Sequence, residues 1–192
     1  LKGKIQGLLH YGALLEEGAG RLGLVGRGDR GHILIRHVTE ALDPALMAWL
    51  PPGSRVLDVG SGGGVPGIPW AIMREDLEIR LLERRLKKVA FLERASLALK
   101  LGNASVFAGT LEELGRRTVS SPWTVAVARG VRWTPAMVRA ATKLLTEEGV
   151  VVRYGASGGG TEGVRVLPLD SSADRVVQLW PRSSWGSLPA AR

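Results

Sequence analysis

Cysteine is absent from all 192 residues. Disulfides, thiolate metal sites and cysteine nucleophiles are therefore excluded, and a reducing, cytoplasmic setting is expected. Long apolar runs are also missing. No stretch approaches the roughly 20 residues that span a bilayer, so no membrane association is expected. The start, Leu1-Lys2-Gly3-Lys4, is basic, but the stretch after it is Gly-rich and interrupted by Glu16 and Glu17, unlike a secretory leader. No metal site and no internal repeat is evident. Acidic residues are in deficit, 18 against 26 Lys and Arg, for a formal net charge of +8. Such a surplus suits a polyanionic partner, with solubility charge as the plainer explanation. Residues 1–50 are nearly balanced, and a local basic cluster stands at Arg84, Arg85, Lys87 and Lys88.

With 45% hydrophobic and 23% charged residues, the composition is that of a globular protein. The length suits one compact domain with a small appendage: an N-terminal helical segment over 1–50 and an α/β domain over 51–192. In the first segment Leu8, Leu9, Leu14 and Leu15 are spaced for a helix face, an expectation that the glycines between Gly12 and Gly31 weaken. A helix is predicted from His32 to Leu42, and Asp43-Pro44 caps a short one that stops at Pro51-Pro52-Gly53.

From Arg55 strands and helices alternate. Strands are predicted at 55–60, 78–83, 104–109, 123–128 and 149–154, and helices at 66–74, 84–101, 110–117 and 134–145. Thr110 and Glu113 have the spacing of a capping box. After a Gly/Ser-rich loop over 155–163, two last strands at 163–169 and 175–180 form a terminal hairpin. This order predicts a Rossmann-like, mostly parallel seven-stranded sheet with an antiparallel terminal hairpin, helices on both faces, and a ligand beyond the carboxyl ends of its strands.

The segment Asp58-Val59-Gly60-Ser61-Gly62-Gly63-Gly64-Val65-Pro66-Gly67 joins a predicted strand to a predicted helix, the setting of a nucleotide loop. Gly62, Gly64 and Gly67 satisfy G-x-G-x-x-G, so an NAD-dependent oxidoreductase stays open. Asp58 points elsewhere: a carboxylate beside the loop repels a pyrophosphate and attracts a cationic amino acid. Glu83, about 20 residues on, is placed to accept ribose hydroxyl hydrogen bonds in either case.

The spacing Asp58, Gly60, Gly62, Gly64 resembles motif I of class I methyltransferases, which implies S-adenosylmethionine as cofactor. The run Val56 to Ala71, with Pro66-Gly67-Ile68-Pro69 after the glycines, is similar to the small-subunit ribosomal RNA guanine-N7 methyltransferase G family, also called glucose-inhibited division protein B. Leu81-Leu82-Glu83 with Lys87-Lys88-Val89-Ala90-Phe91-Leu92, Thr110-Leu111-Glu112-Glu113 and Ala128-Arg129 resemble further segments of it. His32-Ile33-Leu34 is matched to part of the family's Arg-His-Ile-Leu-Asp-Ser helix, and this register puts Gly31 and Ile35 where the family has Arg and Asp. Tyr154 stands where the family has lysine.

The resemblance implies that Asp58, Gly60, Ser61, Gly62, Gly64 and Pro66 surround the methionine end and Glu83 the ribose, with Thr110, Leu111 and Glu112 bordering the adenine. It places Arg129 beside the methyl group and His32 over the site as catalytic candidates. Arg129 in a salt bridge to Asp58 or Glu112 is the plainer alternative. Arg84, Arg85, Lys87 and Lys88 would hold RNA phosphates. The implied partner is ribosomal RNA or the small ribosomal subunit, and a monomer is expected. The acceptor stays open: absent cysteine excludes pyrimidine C5 attack, and no Pro-Pro-aromatic motif follows strand four, but another RNA or a small molecule remains an alternative to N7 of a 16S guanine.

Overall fold

The computed structural model describes residues 1–24, 37–117, 122–156, 165–168 and 175–182. The chain begins with a long helix, α1 (Lys2–Leu22), closed by Gly23 in the left-handed conformation. Two short helices come next, α2 (Thr39–Ala41) and α3 (Pro44–Trp49). Asp43 caps α3 by accepting the Ala45 amide at 3.0 Å, as Asp-Pro predicts. The alternating part comprises β1 (Arg55–Val59), α4 (Gly67–Met73), β2 (Glu78–Glu83), α5 (Leu86–Ala98), β3 (Ala104–Ala108), α6 (Leu111–Leu114), β4 (Trp123–Ala128), α7 (Pro135–Leu144), β5 (Leu145–Ala156), β6 (Arg165–Pro168) and β7 (Arg175–Pro181).

The seven strands form one sheet in the order β3-β2-β1-β4-β5-β7-β6. The first five pair in parallel, and β7 runs antiparallel to both β5 and β6. The Rossmann-like sheet and terminal hairpin expected from the sequence are present. Apolar clusters cover the sheet on both faces. One gathers Ile68, Trp70 and Phe91 from α4 and α5, and the other Leu111, Met137 and Leu144 from α6 and α7. Strand β5 starts earlier than its apolar run suggests. Leu145 already pairs with Trp123, and the register then shifts before Val125 meets Val150.

The main departure is α1. Glycine lowers intrinsic helix propensity, yet 21 residues are helical because burial outweighs that cost. Tyr11, Leu15 and Ala19 are buried in the same cluster as Ile68, Trp70 and Phe91. Gly18 lets the helix approach closely: a Cβ there would lie 3.3 Å from Phe91 Cε2 and 2.6 Å from Leu24 Cδ1. The glycines that speak against a helix in isolation are part of the surface that makes this one pack. Of the helix predicted from His32 to Leu42, residues 37–42 fall among the described ones; 37–38 are π-helical and α2 follows over Thr39–Ala41.

The β order reverses direction between β1 and β4, since the chain moves outward from β1 to β3 and then returns to β4 beside β1. That switch point opens a crevice at the carboxyl ends of the strands.

Candidate active site

One half of the crevice is built by the turn after β1. Ser61 donates its amide to Leu82 O at 2.9 Å, and Gly64 donates to Ser61 O at 2.6 Å. Ser61 Oγ donates back to Asp58 O at 2.8 Å. Glu83, at the end of β2, is buried, and its two oxygens accept the amides of Gly62 at 3.1 Å and Arg85 at 2.9 Å. The carboxylate thus ties the turn to the start of α5 and keeps lone pairs for a ligand hydroxyl.

Asp58 lies behind this turn. It is buried, and its Oδ2 accepts the Gly67 amide at 3.0 Å, at the first residue of α4. Burial pushes its carboxyl up to about 7, against the lowering effect of the Gly67 and Ser61 hydrogen bonds and Arg129. The position has a chemical consequence. A dinucleotide's pyrophosphate sits at the helix N-terminus after the glycine turn, and here the Gly67 amide at that N-terminus already donates to the Asp58 carboxyl behind the turn. The arrangement disfavours NAD and suits a ligand with a cationic end.

Helix α1 supports the turn from below. Tyr11 is fully buried and donates its hydroxyl to Gly63 O at 2.7 Å. Burial, and next the nearby Asp58, hold that hydroxyl well above the ordinary tyrosine range, so it remains a donor. Tyr11→Phe should leave a buried carbonyl unpaired and cost about 1–3 kcal/mol in urea unfolding. An unchanged midpoint would show that the bond contributes nothing.

The other half lies beyond β4 and β5. Arg129 follows β4, and its Nη2 donates to Glu40 Oε2 at 2.7 Å and lies 2.6 Å from His37 Nδ1. The Glu40 side chain is 4% exposed and that of Arg129 15%. The guanidinium carbon stands 5.8 Å from the ring centre of Tyr154, at the end of β5. Burial keeps the Tyr154 hydroxyl protonated, well above its usual range. Trp70 Nε1 donates to Ala41 O at 2.7 Å and so pins the segment carrying Glu40. Arg129 is therefore in a salt bridge, as the plainer alternative expected, but its partner is Glu40 and not Asp58 or Glu112.

Sequence reasoning missed His37 and Glu40, although a signal existed. Arg36-His37-Val38-Thr39-Glu40-Ala41 has the same Arg-His-x-x-acid-small pattern that is matched five residues earlier at His32. In this later register both the Arg and the acid are present. His32 itself, with Gly31 and Ile35, lies outside the described residues.

The two halves form one cavity of about 1270 Å³. Gly60, Ser61, Gly62, Glu83, Thr110, Leu111, Glu112 and Arg129 line it; Asp58, Gly64 and Pro66 stand behind the lining. Thr110 also closes the anticipated capping box with Glu113. Arg84 and Arg85 line the mouth, exposed to solvent, whereas Lys87 is exposed away from the lining. Lys88 reaches across to Gly23 O at 3.0 Å and so joins α5 to the end of α1. Arg132, also in the lining, adds a cation that the sequence pattern does not single out. Among the described residues no group of acids and histidines is arranged to hold a metal, and no helix is long and apolar enough to cross a membrane.

Comparison with known proteins agrees with this geometry. Residues 4–163 match the family model described as rRNA small subunit methyltransferase G. The ribosomal RNA small subunit methyltransferase G of Moorella thermoacetica is 33% identical over 153 residues, 79% of this chain and 64% of the relative. The protein of the same name from Neisseria meningitidis serogroup B is 31% identical over 175 residues, 90% of this chain and 80% of the relative. The chain thus spans just under two thirds of the length of the Moorella relative. Among solved structures, a putative rRNA methylase from Clostridium thermocellum superimposes with a TM-score of 0.54 at 14% identity, over 76% of this chain and 96% of that one. This likeness shows the methyltransferase fold.

Proposed function

The chain belongs to the rRNA small subunit methyltransferase G family, and from that premise we propose that it transfers a methyl group from S-adenosylmethionine to N7 of a guanine in 16S ribosomal RNA. The observation that carries this reading is the two-part cavity at the switch point. Its volume of about 1270 Å³ exceeds the ~300–1,000 Å³ of a pocket for one small ligand, which leaves room for two reactants side by side.

The residues present fit the cofactor. A Cβ on Gly62 would meet nothing nearer than 3.8 Å, so the turn presents bare backbone to the cavity. Glu83 would accept the ribose hydroxyls, Leu111 and Glu112 would border the adenine, and Asp58 would favour the cationic methionine end through the turn. S-adenosylmethionine, when bound, supplies an electrophilic methyl group on a sulfonium.

Guanine N7 carries a free lone pair, so methylation there needs no proton removed and no general base. The chain's contribution is to align the two reactants and exclude water. The apolar walls of Val59, Leu82, Val131 and Met137 serve the exclusion. Arg84, Arg85 and Lys87 would hold phosphates of the RNA strand outside the mouth, which makes affinity fall with salt.

Calorimetric titration with S-adenosylmethionine and, separately, NAD tests the cofactor. Tritium transfer from labelled S-adenosylmethionine to small ribosomal subunits tests the acceptor. Micromolar binding of S-adenosylmethionine alone, with label recovered as N7-methylguanine, is the expected result. Binding of NAD alone, or label in another base, would overturn it.

A further inference from the structure

Arg129 is held by one end only. Its contacts to Glu40 and to His37 both involve Nη2. An arginine donates and never accepts. His37 Nδ1 must therefore be the acceptor, which fixes that imidazole as the tautomer with hydrogen on Nε2. Both Nη2 hydrogens are then consumed. The donors on Nη1 and Nε meet no partner among the described residues, and Arg129 lines the cavity. The Tyr154 ring centre lies 5.8 Å from the guanidinium carbon.

This anchorage decides between two jobs. A phosphate-gripping arginine is exposed and carries an unmatched charge. Here the guanidinium charge already meets a carboxylate at 2.7 Å and the side chain is only 15% exposed, whereas Arg84 and Arg85 are open to solvent. An RNA strand presents its phosphates along its outside, whereas an unstacked base reaches inward. What survives neutralisation is the direction of the remaining N–H groups. The guanine edge that bears N7 also bears O6, an acceptor. N7 must stay open for attack, which leaves O6.

We propose that Glu40 and His37 are positioning residues that fix Arg129 as a directional donor to the acceptor base's carbonyl oxygen, not as a phosphate-binding cation. The inference rests on the guanine reading above. It adds which atom is read and which residues set the reader.

The test uses the full chain, labelled S-adenosylmethionine and small ribosomal subunits from cells lacking the enzyme, with subunit affinity followed against salt. Arg129→Gln should lower kcat by about 100-fold and leave the salt slope of RNA binding unchanged. Glu40→Gln, which keeps size but removes charge, should lower kcat by about 10-fold with unchanged cofactor affinity. His37→Asn keeps an acceptor near the Nδ1 position and should retain most activity, whereas His37→Leu should not. Nitrogen NMR of the wild-type chain should show His37 with a bare Nδ1. Arg84→Gln and Arg85→Gln should each flatten the salt slope by about one. A flatter slope for Arg129→Gln, wild-type kcat for Glu40→Gln, or a protonated Nδ1 would overturn the inference while the wild-type chain still methylates subunits. No transfer by the wild-type chain would mean that the parent reading fails, and this one with it.

Discussion

Gly62→Leu should abolish S-adenosylmethionine binding, by at least about 100-fold, in a protein that still folds. The two effects separate because of where the new side chain goes. Gly62 has φ near +57°, so any L residue there carries strain of about 1–2 kcal/mol. Its Cβ meets only Gly60 O and Lys88 Nζ, both at 3.8 Å, and the residue lines the cavity. Leucine would thus project into the space of the ligand and leave the core untouched. Gly64→Ala is the contrasting case. That Cβ would lie 2.5 Å from Ile68 Cδ1 and 2.8 Å from Ile68 Cγ1, behind the lining. It should lower stability by about 2–4 kcal/mol through overpacking and strain together. Calorimetry and urea unfolding on both variants check the pair. Tight cofactor binding by Gly62→Leu would mean that the turn does not face the ligand.

The second large effect concerns Asp58 and pH. Its carboxyl is raised from an ordinary value near 3.8 to about 7, because burial disfavours the charged form. The folded chain then binds a proton through this window that the unfolded chain has already lost. Stability therefore falls as pH rises from about 4 to about 7 and levels off above, by about 1.4 kcal/mol per pH unit at most. Asp58→Asn still offers an oxygen to the Gly67 amide but cannot ionise. The variant should lack this fall and should exceed the parent in stability at pH 8, the gap closing towards pH 4. Equilibrium unfolding of both proteins at pH 4, 6 and 8 measures it. A parent–variant difference that does not change with pH would show that Asp58 is ionised throughout.

The parallel part of the fold was legible because each strand from β1 to β4 is a short apolar run bounded by turn residues, and the glycine turn sits at the one joint where a ligand belongs. Local signals sufficed there. They failed for α1, whose helicity comes from Tyr11, Leu15 and Gly18 meeting α4 and α5, contacts distant in sequence. Of the site, the residues of the glycine turn, Glu83 and the segment after β3 could be named from spacing. The role of Asp58 as the cap of α4 could not, because spacing does not tell a residue that faces the ligand from one behind the wall. His37 and Glu40 illustrate a different limit. Their pattern was present, but a similar one five residues earlier claimed the match, and only the contact with Arg129 separates the two.

The hydroxyl of Tyr11 makes the glycine turn and the first helix partners in one opening reaction. For Gly63 to leave its place, the bond to Tyr11 must break, and Leu15 must yield beside it, since a Cβ on Gly63 would lie only 2.7 Å from Leu15 Cδ2. A ligand that tightens the turn would then slow hydrogen exchange at amides in the middle of α1, on the far side of the turn from the ligand. The helix lines none of the cavity, yet it would register occupancy as a change in its own opening rate.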